Sequence, residues 1–283
     1  MKKPLRTNLL LLLIVLVLIV LLNLPTQPTT TEAATQLNTI AANSVTRIRL
    51  DRGKDDQIVL EKQAGEWWMT SPRKWPANHS RIQSLLKLLQ QRHYGQFSAE
   101  ATDLSHYGLQ TPLASIHFNQ SIFSFGTTET LNHRRYLQHE QQIYMIEDSS
   151  LYKLISMMPR YLSTRLLRED EKIIALTLPG LSLTQKDGKW HGSQKDVHAD
   201  DIVRLLQDWQ TASALSVDID EKTETKDKPM IKLRLNTQTS TVEFAIIQHQ
   251  PDLLLLRLDN RLLYQLHPHQ AQQLLQLTTP QPQ

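Results

Sequence analysis

Residues 81–89, Arg-Ile-Gln-Ser-Leu-Leu-Lys-Leu-Leu, and residues 201–209, Asp-Ile-Val-Arg-Leu-Leu-Gln-Asp-Trp, follow one pattern. Ile82, Leu85, Leu86 and Leu89 fall at i, i+3, i+4 and i+7, and Ile202, Leu205, Leu206 and Trp209 repeat that spacing, so each stretch predicts a helix with a single apolar face. Asn78 or Ser80 is placed to cap the first helix, and Asp200 or Asp201 the second. Ile82 and Ile202 lie 120 positions apart, and so do Tyr144 and Tyr264. One interval at two places predicts a duplicated chain.

Working outward, each helix is preceded by two short β-like runs and a Gly-x-Trp: Ile48–Leu50, Ile58–Glu61 and Gly65-Glu66-Trp67 in one half, Ile173–Leu178, Leu181–Thr184 and Gly188-Lys189-Trp190 in the other. Four further runs follow each helix. They are Ser115–Phe118, Ile122–Phe125, Tyr136–His139 and Gln142–Ile146 in the first half, and Ile231–Leu235, Val242–Ile247, Leu253–Leu258 and Leu262–Leu266 in the second. Short helices at Ser150–Met158 and His269–Leu277 close the halves. The expected fold class is α+β: two tandem repeats, residues 45–167 and 168–277, each an antiparallel sheet with covering helices. Pro159 to Arg168 joins the repeats, too short a junction to let them swing freely. Asp218 to Pro229 is a mixed-sign run expected as an exposed loop, and residues 278–283 as a polar tail.

The amino-terminal segment determines where such a body works. Leu9 to Leu22 is unbroken Leu, Ile and Val behind Lys2, Lys3 and Arg6. The 18 positions from Thr7 to Leu24 would rise about 27 Å as a helix, close to the roughly 30 Å of bilayer hydrocarbon. A cleaved signal peptide has a shorter apolar stretch followed by small residues, whereas Asn23, Leu24 and Pro25 come next here; residues 1–25 therefore read as an uncleaved anchor. No Lys or Arg follows until Arg47, which places the amino terminus in the cytoplasm and the body outside it, in the periplasm of a diderm bacterium. Residues 26–44, nearly devoid of large apolar side chains, read as a flexible linker.

The net charge is +3, and three cations belong to the anchor, so the exported body is near neutral and lacks the basic stripe of a nucleic-acid binder. The absence of cysteine excludes a lipoprotein and thiol catalysis. No Gly-x-Ser-x-Gly, phosphate-cradling loop or dinucleotide fingerprint occurs. His139-Glu140 starts like a zincin helix, but Ile143 stands where the second histidine is needed. His267-Pro268-His269 offers two imidazoles without a third ligand, and His133-Arg134-Arg135 is a candidate for anion binding. Asp55-Asp56 and Asp200-Asp201 are neighbouring carboxylates that point apart. These observations lead to no expected cofactor, metal or catalytic set.

Gly65-Glu66-Trp67, Pro76-Ala77, Tyr107-Gly108-Leu109 with Pro112, Gly126 and Arg135-Tyr136 come in an order that resembles the bacterial domain of unknown function 4340 family across about Val45 to Leu167. The second half is similar only through Gly-x-Trp, the helix and the β-runs. The resemblance implies a membrane span, an exported body and, for some members, a place beside ABC-type export systems. Trp67, Pro76, Tyr107, Gly108, Leu109, Pro112, Gly126, Arg135 and Tyr136 also have a plain structural reading, as turn, strand and packing residues.

Trp68 is the one suggested interaction residue, because Trp67 and Trp68 should face opposite sides of a strand, one buried and the other available. The resulting expectation is a single-pass inner-membrane protein with a non-catalytic binding or scaffolding body and a membrane or transporter partner. The alternative is a cell-envelope glycan-binding module or hydrolase that uses Trp68 as a stacking platform. Intact-mass measurement of the membrane fraction should recover the uncleaved chain, and a product shortened by roughly 25 to 34 residues would show a removed signal peptide.

Overall fold

The computed structural model describes residues 35–277 apart from 38–39, 54–55, 101, 155, 195–196 and 237–240. The expected span within residues 1–25 and the tail at 278–283 lie outside the described residues. Among the described residues no helix is long and apolar enough to cross a membrane.

The first repeat contains β1 (Thr35–Gln36), β2 (Arg47–Asp51), β3 (Gln57–Gln63), β4 (Glu66–Ser71), β5 (Trp75–Pro76), α1 (His79–Leu86), β6 (Arg92–Ser98), β7 (Ala114–Phe118), β8 (Ser121–Thr128), β9 (Arg134–His139), β10 (Gln142–Glu147) and α2 (Leu151–Leu154). The second contains β11 (Ile173–Leu178), β12 (Leu181–Lys186), β13 (Lys189–Gly192), α3 (Ala199–Thr211), β14 (Ser216–Ile219), β15 (Met230–Leu235), β16 (Thr241–Gln248), β17 (Leu253–Arg257), β18 (Leu262–Leu266) and α4 (Pro268–Leu275).

All pairings within these sheets are antiparallel. The first sheet runs β1-β6-β10-β9-β8-β7-β2-β3-β4-β5 and the second β13-β12-β11-β15-β16-β17-β18-β14. Read from β14, the second order is the first without β1 and β5, so the duplication extends to topology. Strand alternation explains the buried faces: Ala114, Ile116 and Phe118 point inward along β7, and Ile231, Leu233 and Leu235 along β15. The helix after the third strand must carry the chain from one sheet edge to the other, and it crosses on the core side. Ile82, Leu85 and Leu86 of α1 and Ile202, Leu205 and Trp209 of α3 are buried there.

The connection from β6 to β7 also has to pass over the strands between them. In the first repeat residues 99–113 do this, and in the second the equivalent connection is the charged run after β14. That run is tied down: Asp220 Oδ1 accepts from the Lys222 and Thr223 amides, and Arg261 donates to the carbonyls of Asp220 and Thr223.

One hydrophobic core runs through both repeats and takes in Tyr161, Leu162, Leu166 and Leu167 of the junction. The junction is extended after a short 3-10 turn at Met158–Tyr161, and it joins both repeats by backbone pairing, Leu162 with Ala77 and Arg165 with Ser213. Arg257 completes the junction. It is 1% exposed, pairs with Asp259 at 2.9 and 3.0 Å, donates to the Leu166 carbonyl at 3.0 Å, and lies 4.8 Å from the ring centre of Trp75 in the first repeat.

Several expectations are corrected here. Trp67 and Trp190 belong to third strands of their own, and β6 and β14 are strands that the apolar pattern did not reveal. The second helix is capped by neither Asp200 nor Asp201: His198 occupies the N-cap, and both aspartates lie in the first turn. The first closing helix is α2 alone, shorter than Ser150–Met158. The linker expected to residue 44 contributes β1, which pairs with β6, and Leu37, which is buried.

Arg257→Ala removes a buried cation that holds a junction carbonyl, and should lower stability by about 2–4 kcal/mol. Urea unfolding of the full chain measures it.

Candidate functional site

The family-type residues fall into two places. Gly126 sits where the β8–β9 register shifts, and a Cβ there would lie 2.1 Å from the Tyr107 carbonyl oxygen and 3.0 Å from the Leu109 side chain. Only glycine lets the crossing segment approach so closely. Gly108, at φ 65°, ends the turn Leu104–Tyr107 in the left-handed region. Arg135 is buried; it donates to the Gly126 carbonyl at 2.6 Å and pairs with Asp148. The Tyr107 and Tyr136 rings meet edge to face at 4.7 Å, with Phe97 5.2 Å from Tyr107. Leu109 is buried, and Pro112 leads into β7. This group clamps the β6–β7 connection onto the sheet. Arg135 of the His133-Arg134-Arg135 run is taken up by that clamp, and the Arg134 guanidinium lies 4.1 Å from the ring centre of Tyr94.

Two of the histidines are structural in the same way. His139 is 2% exposed, stacks on Phe123 at 4.0 Å, and its Nδ1 is 2.9 Å from the Ile122 carbonyl. His267 forms a capping box with Gln270 at the start of α4. Among the described residues no group of three His, Cys, Asp or Glu is close enough to hold a metal ion.

The second place is a groove of about 740 Å³ between the first repeat and the junction, within the size range of small-ligand sites. Its walls are β4 and β5 with Trp67, Trp68, Trp75 and Pro76, the start of α1 with Asn78, His79 and Ser80, and residues 163–165 and 167–170 in and just after the junction. The chain turns back between these strands, so that Trp68 pairs with Pro76 and Met69 with Trp75. The other side of this short strand is closed by the junction: the Ser163 amide donates to the Pro76 carbonyl at 2.8 Å, and the Asn78 amide to the Tyr161 carbonyl at 2.7 Å. Asn78 caps α1 through its side-chain oxygen, which accepts from the Arg81 amide.

Trp67 and Trp68 are both half-buried, so the expected split into one buried and one open ring does not occur. Trp67 packs against the core, whereas Trp68 lines the groove with the Arg168 guanidinium 5.7 Å from its ring centre. Arg168 is oriented by Asp170 at 2.9 and 2.6 Å, and Arg165 by Glu169 at 2.5 Å. The hydrogen bonds from Arg168 hold the Asp170 carboxyl below its ordinary range. The pair therefore persists as pH falls through the usual carboxylate values and opens only below them; Asp170 is exposed, so its effect on stability is small. Sequence spacing pointed to Trp68 but not to Arg165, Arg168, Glu169 or Asp170, whose meeting with the tryptophans depends on the path of the junction.

The architecture defines a duplicated antiparallel-sheet protein with an aromatic groove at its seam. The chain belongs to the family described as domain of unknown function, DUF4340, whose sequence profile matches residues 67–229. That stretch contains all the marker residues from Trp67 to Tyr136 and continues past the junction into the second repeat, further than the resemblance across Val45 to Leu167 implied. No curated protein and no solved structure matches the chain.

Gly126→Ala should destabilise the protein by about 1–3 kcal/mol, because the methyl group would collide with the backbone of Tyr107. A lowered denaturant midpoint with an unchanged slope checks it.

Proposed function

We infer that the protein is a single-pass inner-membrane protein whose periplasmic body binds and scaffolds rather than catalyses, with the seam groove as its binding site. The groove carries this reading: it joins three tryptophans to polar side chains whose charges are already paired, Arg165 with Glu169 and Arg168 with Asp170. Such a lining suits holding a ligand by stacking and hydrogen bonds. The apolar segment Leu9 to Leu22 supports the membrane location, and the cations before it support a cytoplasmic amino terminus. A body fixed at the membrane in this way suits an accessory of an ABC-type export complex, with the span giving proximity and the groove giving recognition.

Purification of the tagged full chain in mild detergent should recover a membrane protein in fixed stoichiometry. A monodisperse lone protein that turns over a defined substrate would overturn the reading.

A further inference from the structure

The geometry points to a neutral oligosaccharide as the occupant of the seam groove, an inference that rests on the groove being the binding site. The lining combines aromatic rings with side chains that carry both donors and acceptors. A sugar ring has an apolar C–H face that stacks on an indole and a rim of hydroxyls that each need a donor and an acceptor. Trp68 supplies the indole surface, and Arg168, whose guanidinium lies over that ring at 5.7 Å from its centre, forms with Asp170 an oriented donor–acceptor pair. Asn78 uses its oxygen to cap α1, which leaves its Nδ2 to donate to a hydroxyl.

Charge and backbone geometry disfavour the other classes. The lining carries three carboxylates, Glu66, Glu169 and Asp170, and its two guanidiniums are each bound to one of them, so a phosphate or uronate would have to displace a carboxylate to reach either. An acyl chain would strand both ion pairs away from water. A peptide strand needs an open sheet edge, but β5 is bonded to β4 on one side, and the junction holds the Pro76 and Asn78 backbone on the other.

The test is calorimetric titration of the full chain in a detergent without a sugar head group, using maltohexaose, cellohexaose and hexa-N-acetylchitohexaose, with an oligogalacturonate and a pool of random decapeptides alongside. At least one neutral hexamer should bind. Trp68→Ala should weaken that binding about tenfold or more, whereas Trp68→Tyr should retain most of it. Unchanged thermal midpoints in both variants separate loss of stacking from loss of fold. If Trp68→Ala alone fails to fold, Asp170→Asn takes its place and should also weaken binding. Binding of the oligogalacturonate alone, or of the peptides alone, in a Trp68-dependent manner would overturn the ligand class and leave the groove as the site. Binding of a hexamer that neither Trp68→Ala nor Asp170→Asn alters, or no binding of any probe, would overturn the inference, and the former would also remove the groove from the proposed function.

Discussion

Arg257 is the constraint on which the joined structure depends. A guanidinium withdrawn from water is tolerated only if its donors are satisfied, and here they are shared between a carboxylate of the second repeat and a carbonyl of the junction. Its flat face also lies over Trp75 of the first repeat. Three parts of the chain are thereby fixed by one side chain. Because Trp75 also walls the groove, the shape of the candidate site follows from an interaction made by the opposite repeat.

The two repeats share a strand order but have diverged where the chain crosses the outer sheet face. In the first, a tyrosine, two glycines and a buried arginine form a clamp of aromatic and backbone contacts. In the second, a charged run is held by Asp220 and Arg261. Both solve the same problem, that β6 and β7 in one sheet, and β14 and β15 in the other, are separated by three strands and need a connection lying against them. The solutions differ because a crossing segment can be fixed either by close packing or by hydrogen bonds to its own backbone.

Much of this was legible in the residues. The apolar spacing of Ile82, Leu85, Leu86 and Leu89 identified α1, which buries the first three, while Leu89 is buried on the 3-10 turn Lys87–Gln90 that follows it; Ile173 to Leu178 was bounded as the strand it is. Strand β6 was not, because Arg-His-Tyr-Gly-Gln-Phe-Ser has a central glycine and little alternation; it is held by pairing with β10 and β1. The cap of α3 was misassigned since two aspartates suit a first turn as well as a cap. Trp68 stood out because adjacent tryptophans in a strand are unusual neighbours. Its partners came from a junction some hundred residues downstream, and local pattern carries no information about such a meeting.

Strand β1 has a further consequence. With the proposed span ending at Leu24, the chain is fastened to the sheet edge again at Thr35, and eleven links extend at most about 40 Å. On that proposal the body would be on a short leash. It would patrol a thin shell above the bilayer rather than reach across the envelope, and whatever occupies the groove would have to be delivered to that shell.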